Sequence, residues 1–163
     1  MLSRRKFLLR SAGAGVALGA STLGWRALAA STVFEVVHTE AEWRKLLSDM
    51  QFQVLRQGAT ERPFSSPLNN EHRSGRFACA GCQLDLFSST TKFDSGTGWP
   101  SFWAPLEHAV LANSDRSFGM LRTEVRCRRC GGHLGHVFDD GPRPTGLRYC
   151  INGFAMSFKP GAA

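Results

Sequence analysis

The spacing of apolar and polar side chains divides this chain into a short helical part and a longer strand-rich part. Residues 39 to 58 read as helical. Thr39-Glu40-Ala41-Glu42 has the form of a capping box, with Thr39 as N-cap and Glu42 at the third helical position. Ala41, Leu46 and Leu47 are the expected apolar side. Ser48-Asp49 marks a second cap before a run from Met50 to Gln57, and Gly58 and Pro63 close the region. Residues 59 to 75, rich in Ser, Asn, Pro and Gly, read as loop.

From Arg76 the rhythm shortens. Apolar or alternating runs at Arg76–Cys79, Leu84–Phe87, His108–Ala112, Gly119–Arg126, Leu134–Phe138, Leu147–Ile151 and Ala155–Phe158 are separated by Gly, Pro, Asn and Asp. None is long enough for a helix, and their spacing predicts antiparallel sheet. Gly96-Thr97-Gly98-Trp99-Pro100-Ser101-Phe102-Trp103 interrupts the series as a loop, with glycines on either side of Thr97 and a proline after Trp99.

Charge changes the picture only at the N-terminus. The formal net charge is +7, but Arg4, Arg5, Lys6, Arg10 and Arg26 lie in residues 1–29, which hold no acid; without them +2 remains. The basic balance is therefore no nucleic-acid signature. It belongs to a leader: a charged start, an apolar Ala- and Gly-rich run from Ser11 to Gly24, and small residues at Ala27-Leu28-Ala29. The apolar run is shorter than the ~20 residues a spanning helix needs. Ser3-Arg4-Arg5-Lys6-Phe7-Leu8 resembles the twin-arginine export motif. The expectation is a twin-arginine-type signal peptide over residues 1–29, one domain over 30–163 and a periplasmic protein. Membrane contact is expected only through an uncleaved leader.

Five cysteines carry the chemistry. Four form two Cys-x-x-Cys knuckles, Cys79/Cys82 and Cys127/Cys130, with small residues close by. Two such pairs suit a tetrahedral four-thiolate zinc site, structural because it leaves no open position. Two disulfides or a redox pair are the rivals, although disulfides across such small loops would restrain the chain little. Cys150 is the odd one. On a strand Arg148, Cys150 and Asn152 share one face, while Tyr149 and Ile151 point the other way. A neighbouring guanidinium favours a thiolate, which makes Cys150 the candidate nucleophile. His133 and His136, just before Asp139 and Asp140, are candidates for acid–base work or a second metal site. Trp99, Phe102 and Trp103 can supply an apolar wall.

Taken together, Cys79-Ala80-Gly81-Cys82, Gly98-Trp99-Pro100-Ser101-Phe102, Cys127 to Cys130, His133-Leu134-Gly135-His136-Val137-Phe138 and Arg148-Tyr149-Cys150-Ile151-Asn152 resemble the type B methionine sulfoxide reductases. Thr60-Glu61-Arg62-Pro63-Phe64 is similar too, and the likeness runs from about residue 39 to 158. The resemblance implies a mainly β (α+β) fold: two antiparallel sheets, short N-terminal helices and a structural zinc on Cys79, Cys82, Cys127 and Cys130. It implies reduction of methionine-R-sulfoxide in oxidised proteins, with Cys150 as nucleophile and Trp99 receiving the ε-methyl group, Phe102 beside it. His133, His136, Asp140, Arg148 and Asn152 would form the polar side, His136 being the first candidate acid.

The chain departs from that family in two places. Many members carry a resolving cysteine where Thr97 stands, so a thioredoxin-like protein or a small thiol is expected to reduce the Cys150 sulfenic acid directly. Gly153-Phe154-Ala155 replaces a common serine-containing continuation. A monomer without nucleic-acid contacts is expected. The rival functions are a zinc-stapled interaction module without catalysis and a Cys–His hydrolase using Cys150 and His136.

Overall fold

A computed structural model of the chain describes residues 33–116, 119 and 121–163. The leader expected over residues 1–29 lies outside them. Two short helices come first, α1 over Glu40–Leu46 and α2 over Asp49–Gln57. Each begins in a complete capping box. The Thr39 hydroxyl accepts from the Glu42 N–H at 3.3 Å while Glu42 Oε2 accepts from the Thr39 N–H at 2.8 Å. Ser48 and Gln51 repeat the pattern. Gly58 ends α2 in the left-handed conformation at φ 70°, where a side chain would be strained.

The apolar side of α1 is the expected one only in part. Leu47 is buried as expected, whereas Ala41 and Leu46 are exposed, Leu46 at 59 %. Trp43 takes their place in the core. Four residues apart, Trp43 and Leu47 stack on one face of a two-turn helix, and Leu46 is turned about 100° away from Leu47. Helix α2 buries Phe52, Val54 and Leu55.

Among the described residues nine strands follow: β1 (Gly75–Cys79), β2 (Asp85–Ser88), β3 (Lys92–Phe93), β4 (Ser101–Phe102), β5 (Val110–Asp115), β6 (Arg122–Cys127), β7 (His133–Phe138), β8 (Arg148–Ile151) and β9 (Met156–Pro160). They form two antiparallel sheets, one ordered β2-β1-β9 and the other β3-β4-β8-β7-β6-β5. The mainly β fold of two antiparallel sheets read from the sequence is therefore present.

Among the boundaries that differ from the sequence reading, two have clear causes. Ser101-Phe102, expected as loop, is strand β4, because the Pro100 carbonyl accepts from Ile151 N–H at 3.0 Å and steers the next residues onto β8. His108 sits at φ 53°, so the strand expected there starts at Val110.

The core lies between the sheets. Phe77 and Phe87 come from the smaller sheet, and Phe102, Val125, Leu134 and Ile151 from the larger; all are fully buried. Phe102 stacks on Phe87 with ring centres 4.3 Å apart and meets Phe77 edge-on at 5.0 Å. A buried phenylalanine is worth about 1.5–3 kcal/mol in apolar transfer, so these rings are a major part of what holds the sheets face to face.

Candidate active site and metal centre

The two knuckles meet. Cys79 is the last residue of β1, in the small sheet, and Cys127 the last of β6, in the large one. Both knuckles turn tightly: the Gly131 N–H bonds back to Cys127 C=O, and the Gln83 N–H to Cys79 C=O. Cys79 Sγ lies 3.7 Å from Cys130 Sγ, Cys82 Sγ lies 3.5 Å from Cys127 Sγ, and all four sulfurs fall within 4.8 Å of one another. A disulfide would need about 2.05 Å. A tetrahedral zinc with bonds of about 2.3 Å sets its sulfurs about 3.8 Å apart, so the cluster has the size of a four-thiolate cage. Contact with the Cys127 sulfur, then those of Cys130 and Cys82, pushes the Cys79 thiol far up. Four thiolates so close need a cation among them, and the donor set fits one.

The second cluster is built on the middle of the large sheet. Cys150 on β8 is flanked by Ser101 on β4 and His136 on β7, and His136 in turn by Glu124 on β6. Directly opposed residues project to the same side of a sheet, so these four form one row on one face. Ile151 projects into the core, as alternation requires.

His133 joins that face through an irregularity. Three residues apart on a regular strand, His133 and His136 would point to opposite sides. Here Val125 pairs with Gly135 and the next residue, Arg126, pairs with His133. Leu134 is thus an extra residue, a bulge that turns His133 back toward His136, and the two rings lie 5.4 Å apart. Asn152 holds the bulge: its backbone N–H and its side-chain amide both donate to Leu134 C=O, at 2.8 and 3.0 Å.

Each histidine has its own carboxylate. His133 Nδ1 lies 2.7 Å from Glu124 Oε1. His136 Nε2 lies 2.9 Å from Asp115 Oδ2, which also accepts from Arg122 Nη2 at 2.9 Å. Burial, only partly offset by Glu124, holds the His133 ring below its ordinary pKa and so neutral. A neutral His133 donates from Nδ1 to Glu124. Neither histidine joins Asp139 or Asp140 in a second metal site.

A cleft of about 170 Å³ opens above this face, lined by Cys150, His136, Trp99, Phe138, Arg122 and Thr60 among others. Trp99 is where the sequence placed it. Phe102 is not: it is fully buried in the core and forms no wall of the cleft, because it alternates with Ser101 and so faces the other sheet. Phe138 takes the aromatic place beside Trp99.

Asp140 meets the site mainly at Arg148, whose guanidinium it holds by two bonds of 2.9 and 2.8 Å, and its charge also acts on Cys150, weakly raising that thiol. Arg148 also stacks over Phe138 at 4.6 Å. The expected thiolate-favouring effect of Arg148 is present but outweighed. Burial pushes the Cys150 thiol above its ordinary value, and the Thr97 hydroxyl and Arg148 offset only part of it. Asn152, 3 % exposed, spends its amide on backbone, accepting from Glu61 N–H at 3.0 Å besides its bond to Leu134. Its contribution is to position the site.

Glu61 is the residue that organises the cleft's near side. Its carbonyl accepts from Trp99 Nε1 at 3.2 Å, and its carboxylate accepts from the Gly153 and Phe154 N–H groups at 2.9 Å each. The Gly153-Phe154 turn thus serves as an N–H cradle, with Gly153 packed so close to Ser66 that a β-carbon would collide with its hydroxyl. Asp115, Glu124 and Arg122 went unread in the sequence, since none lies in a local motif with its partner, and Phe138 was read as the end of a motif and not as part of the cleft. Sheet register alone brings them together.

Comparison with known proteins points one way. A family model described as SelR domain matches residues 47–160. A Bradyrhizobium diazoefficiens protein described as peptide methionine sulfoxide reductase MsrB is 56 % identical over 127 residues, covering 77 % of this chain and 91 % of that protein. Proteins of the same description from Pseudomonas putida and Agrobacterium fabrum are 57 % identical over 123 residues and 53 % over 127. They cover 75 and 77 % of this chain and 92 and 94 % of their own lengths.

Proposed function

The chain belongs to the type B peptide methionine sulfoxide reductases, the SelR-domain family, and from that premise we propose that its chemistry runs through Cys150. The enzyme is a peptide-methionine (R)-S-oxide reductase: with thiols as reductant it returns methionine-R-sulfoxide in oxidised proteins to methionine. One observation carries the assignment of roles. Cys150 and His136 stand side by side across β7 and β8 at the floor of a cleft walled by Trp99.

The sulfoxide sulfur approaches Cys150 while Trp99 and Phe138 take the apolar methyl end. The Cys150 thiolate attacks that sulfur, and His136 delivers a proton to the sulfoxide oxygen as negative charge builds there. The S–O bond of the substrate then breaks as its hydroxyl passes to the Cys150 sulfur, and the transient bond between Cys150 and the substrate sulfur breaks with its electron pair left on that sulfur. Methionine leaves, and Cys150 is a sulfenic acid. Asp115 orients His136, and Asp140 orients Arg148, which favours the thiolate.

Thr97 Oγ1 lies 4.0 Å from Cys150 Sγ, so a hydroxyl occupies the place from which a second thiol would resolve the sulfenic acid. The remaining cysteines are gathered in the metal centre. An external thiol therefore condenses with the sulfenic acid, releasing water, and a second thiol frees Cys150 from the mixed disulfide. A thioredoxin-like protein or a small thiol fits that part. The metal is zinc, held by Cys79, Cys82, Cys127 and Cys130; its service is structural, since four thiolates fill its coordination. The leader motif supports periplasmic residence by twin-arginine export, which cell fractionation of the tagged full-length chain tests. No observation favours the non-catalytic interaction module.

The test of Cys150 is direct. Cys150→Ser, assayed with dabsylated methionine-R-sulfoxide and dithiothreitol, is expected to lose turnover while melting like the parent. Turnover near the parent's removes the assignment.

A further inference from the structure

Behind Cys150 lies a string of hydroxyls that the reaction above does not use. Thr97 Oγ1 is 2.8 Å from Ser95 Oγ, and Ser95 Oγ is 2.7 Å from Ser101 Oγ. Ser101 is fully buried, and its hydroxyl lies 3.2 Å from Trp99 C=O. The string thus runs from the Cys150 sulfur to a carbonyl in the wall of the cleft.

Each hydroxyl has one hydrogen to give, and the carbonyl can only accept. The string has two arrangements that keep a hydrogen in every hydroxyl contact. When Cys150 is a thiol, it donates to Thr97, Thr97 to Ser95, Ser95 to Ser101, and Ser101 to Trp99 C=O. When Cys150 is a thiolate, its sulfur can only accept. Thr97 then turns its hydrogen to the sulfur, Ser95 turns its own to Thr97, and Ser101 turns from Trp99 C=O to Ser95. Three hydrogens rotate, and no heavy atom moves.

The charged groups around Cys150 lie elsewhere. Arg148, held by Asp140, is on the same strand. His136, backed by Asp115, is on β7, and Arg122 lies on the wall of the cleft. On the β4 side the residue paired with Cys150 is Ser101, which has no charge. A donor there supplements the guanidinium without competing with the substrate oxygen for the acid.

We propose that Thr97 is a catalytic residue of this chain, its hydroxyl donating to the Cys150 thiolate, with Ser95 and Ser101 as positioning residues that let its hydrogen turn. The hydrogen bond between the Thr97 hydroxyl and Cys150 is the first of the effects that offset burial of the thiol. The proposal rests on Cys150 as nucleophile, and its test reads the thiol and not turnover, so the two fail separately.

The experiment uses the full chain with its metal. Iodoacetamide modification of Cys150 is followed against pH by peptide mass mapping in the parent, Thr97→Val, Thr97→Ser and Ser95→Ala. Thr97→Val keeps the shape and removes the donor. Its midpoint is expected to rise by about one pH unit, which is roughly tenfold slower modification at a fixed pH below the midpoint. Thr97→Ser is expected to titrate like the parent, and Ser95→Ala to shift part of the way upward. Metal content and melting temperature identify a variant that is misfolded, and Thr97→Ala then replaces Thr97→Val. A midpoint unmoved by loss of the hydroxyl overturns the proposal, as does a Thr97→Ser protein that titrates like Thr97→Val.

Discussion

At the scale of single residues, burial separates side chains that line the cleft from those that only look as though they should. Trp99 and Phe102 lie three apart in one motif, yet Trp99 lines the cleft and Phe102 is fully buried against Phe87. The two substitutions are expected to act on different quantities. Phe102→Leu should lower stability by about 1–3 kcal/mol in chemical denaturation and leave KM within twofold. Trp99→Ala should leave the melt almost unchanged and lower kcat/KM by roughly 10–200-fold, the worth of a methyl pocket. A large KM change in Phe102→Leu would return that ring to the wall. Cys150, Trp99 and the knuckle cysteines were legible because each stands in a short motif whose chemistry is local. Asp115 and Glu124 were not. They lie 21 and 9 residues before the histidines they bind, and no spacing rule links them.

At the scale of elements, the helices were the most legible, since both capping boxes sit within four consecutive residues. Of the side of α1 expected to be apolar, only Leu47 packs; its i,i+4 partner is Trp43, while Leu46 is apolar yet exposed. The bulge at Leu134 was invisible. A histidine pair three apart says nothing of a strand until its partner's register is known. That register depends on Gly135, where a β-carbon would collide with the carbonyl oxygen of Cys150. Gly135→Ala is therefore expected to push β8 away from β7. Turnover should fall at least tenfold through a smaller kcat, because the His136–Cys150 spacing is what changes. Unaltered steady-state kinetics in a folded Gly135→Ala protein would show that the two strands have more slack than this contact allows.

At the scale of the whole molecule, the four-cysteine cage draws on a strand of one sheet and a strand of the other, at Cys79 and Cys127. The two knuckles were legible, but their meeting across some 45 residues of intervening strands was a matter of topology. Metal binding is coupled to folding when the cage exists only in the folded chain. Removing the ion with a strong chelator is expected to lower the melting temperature by tens of degrees, and Cys127→Ser to do the same without chelator. Elemental analysis should give about one zinc per chain in the parent. An apo-protein that melts with the holo-protein would confine the metal to a local role.

An enzyme that repairs oxidised methionine carries a fastening made of the same oxidisable element, sulfur. Three of the four knuckle sulfurs are sealed in: Cys79 and Cys127 have no exposure and Cys130 has 3 %. Only Cys82 is partly open to solvent. Of the four knuckle sulfurs, Cys82 is therefore the one an oxidant is expected to reach first. Arg129 is bonded to that residue, its guanidinium donating to Cys82 C=O at 3.3 Å, and mass mapping after mild peroxide treatment is expected to find Cys82 modified before the other three.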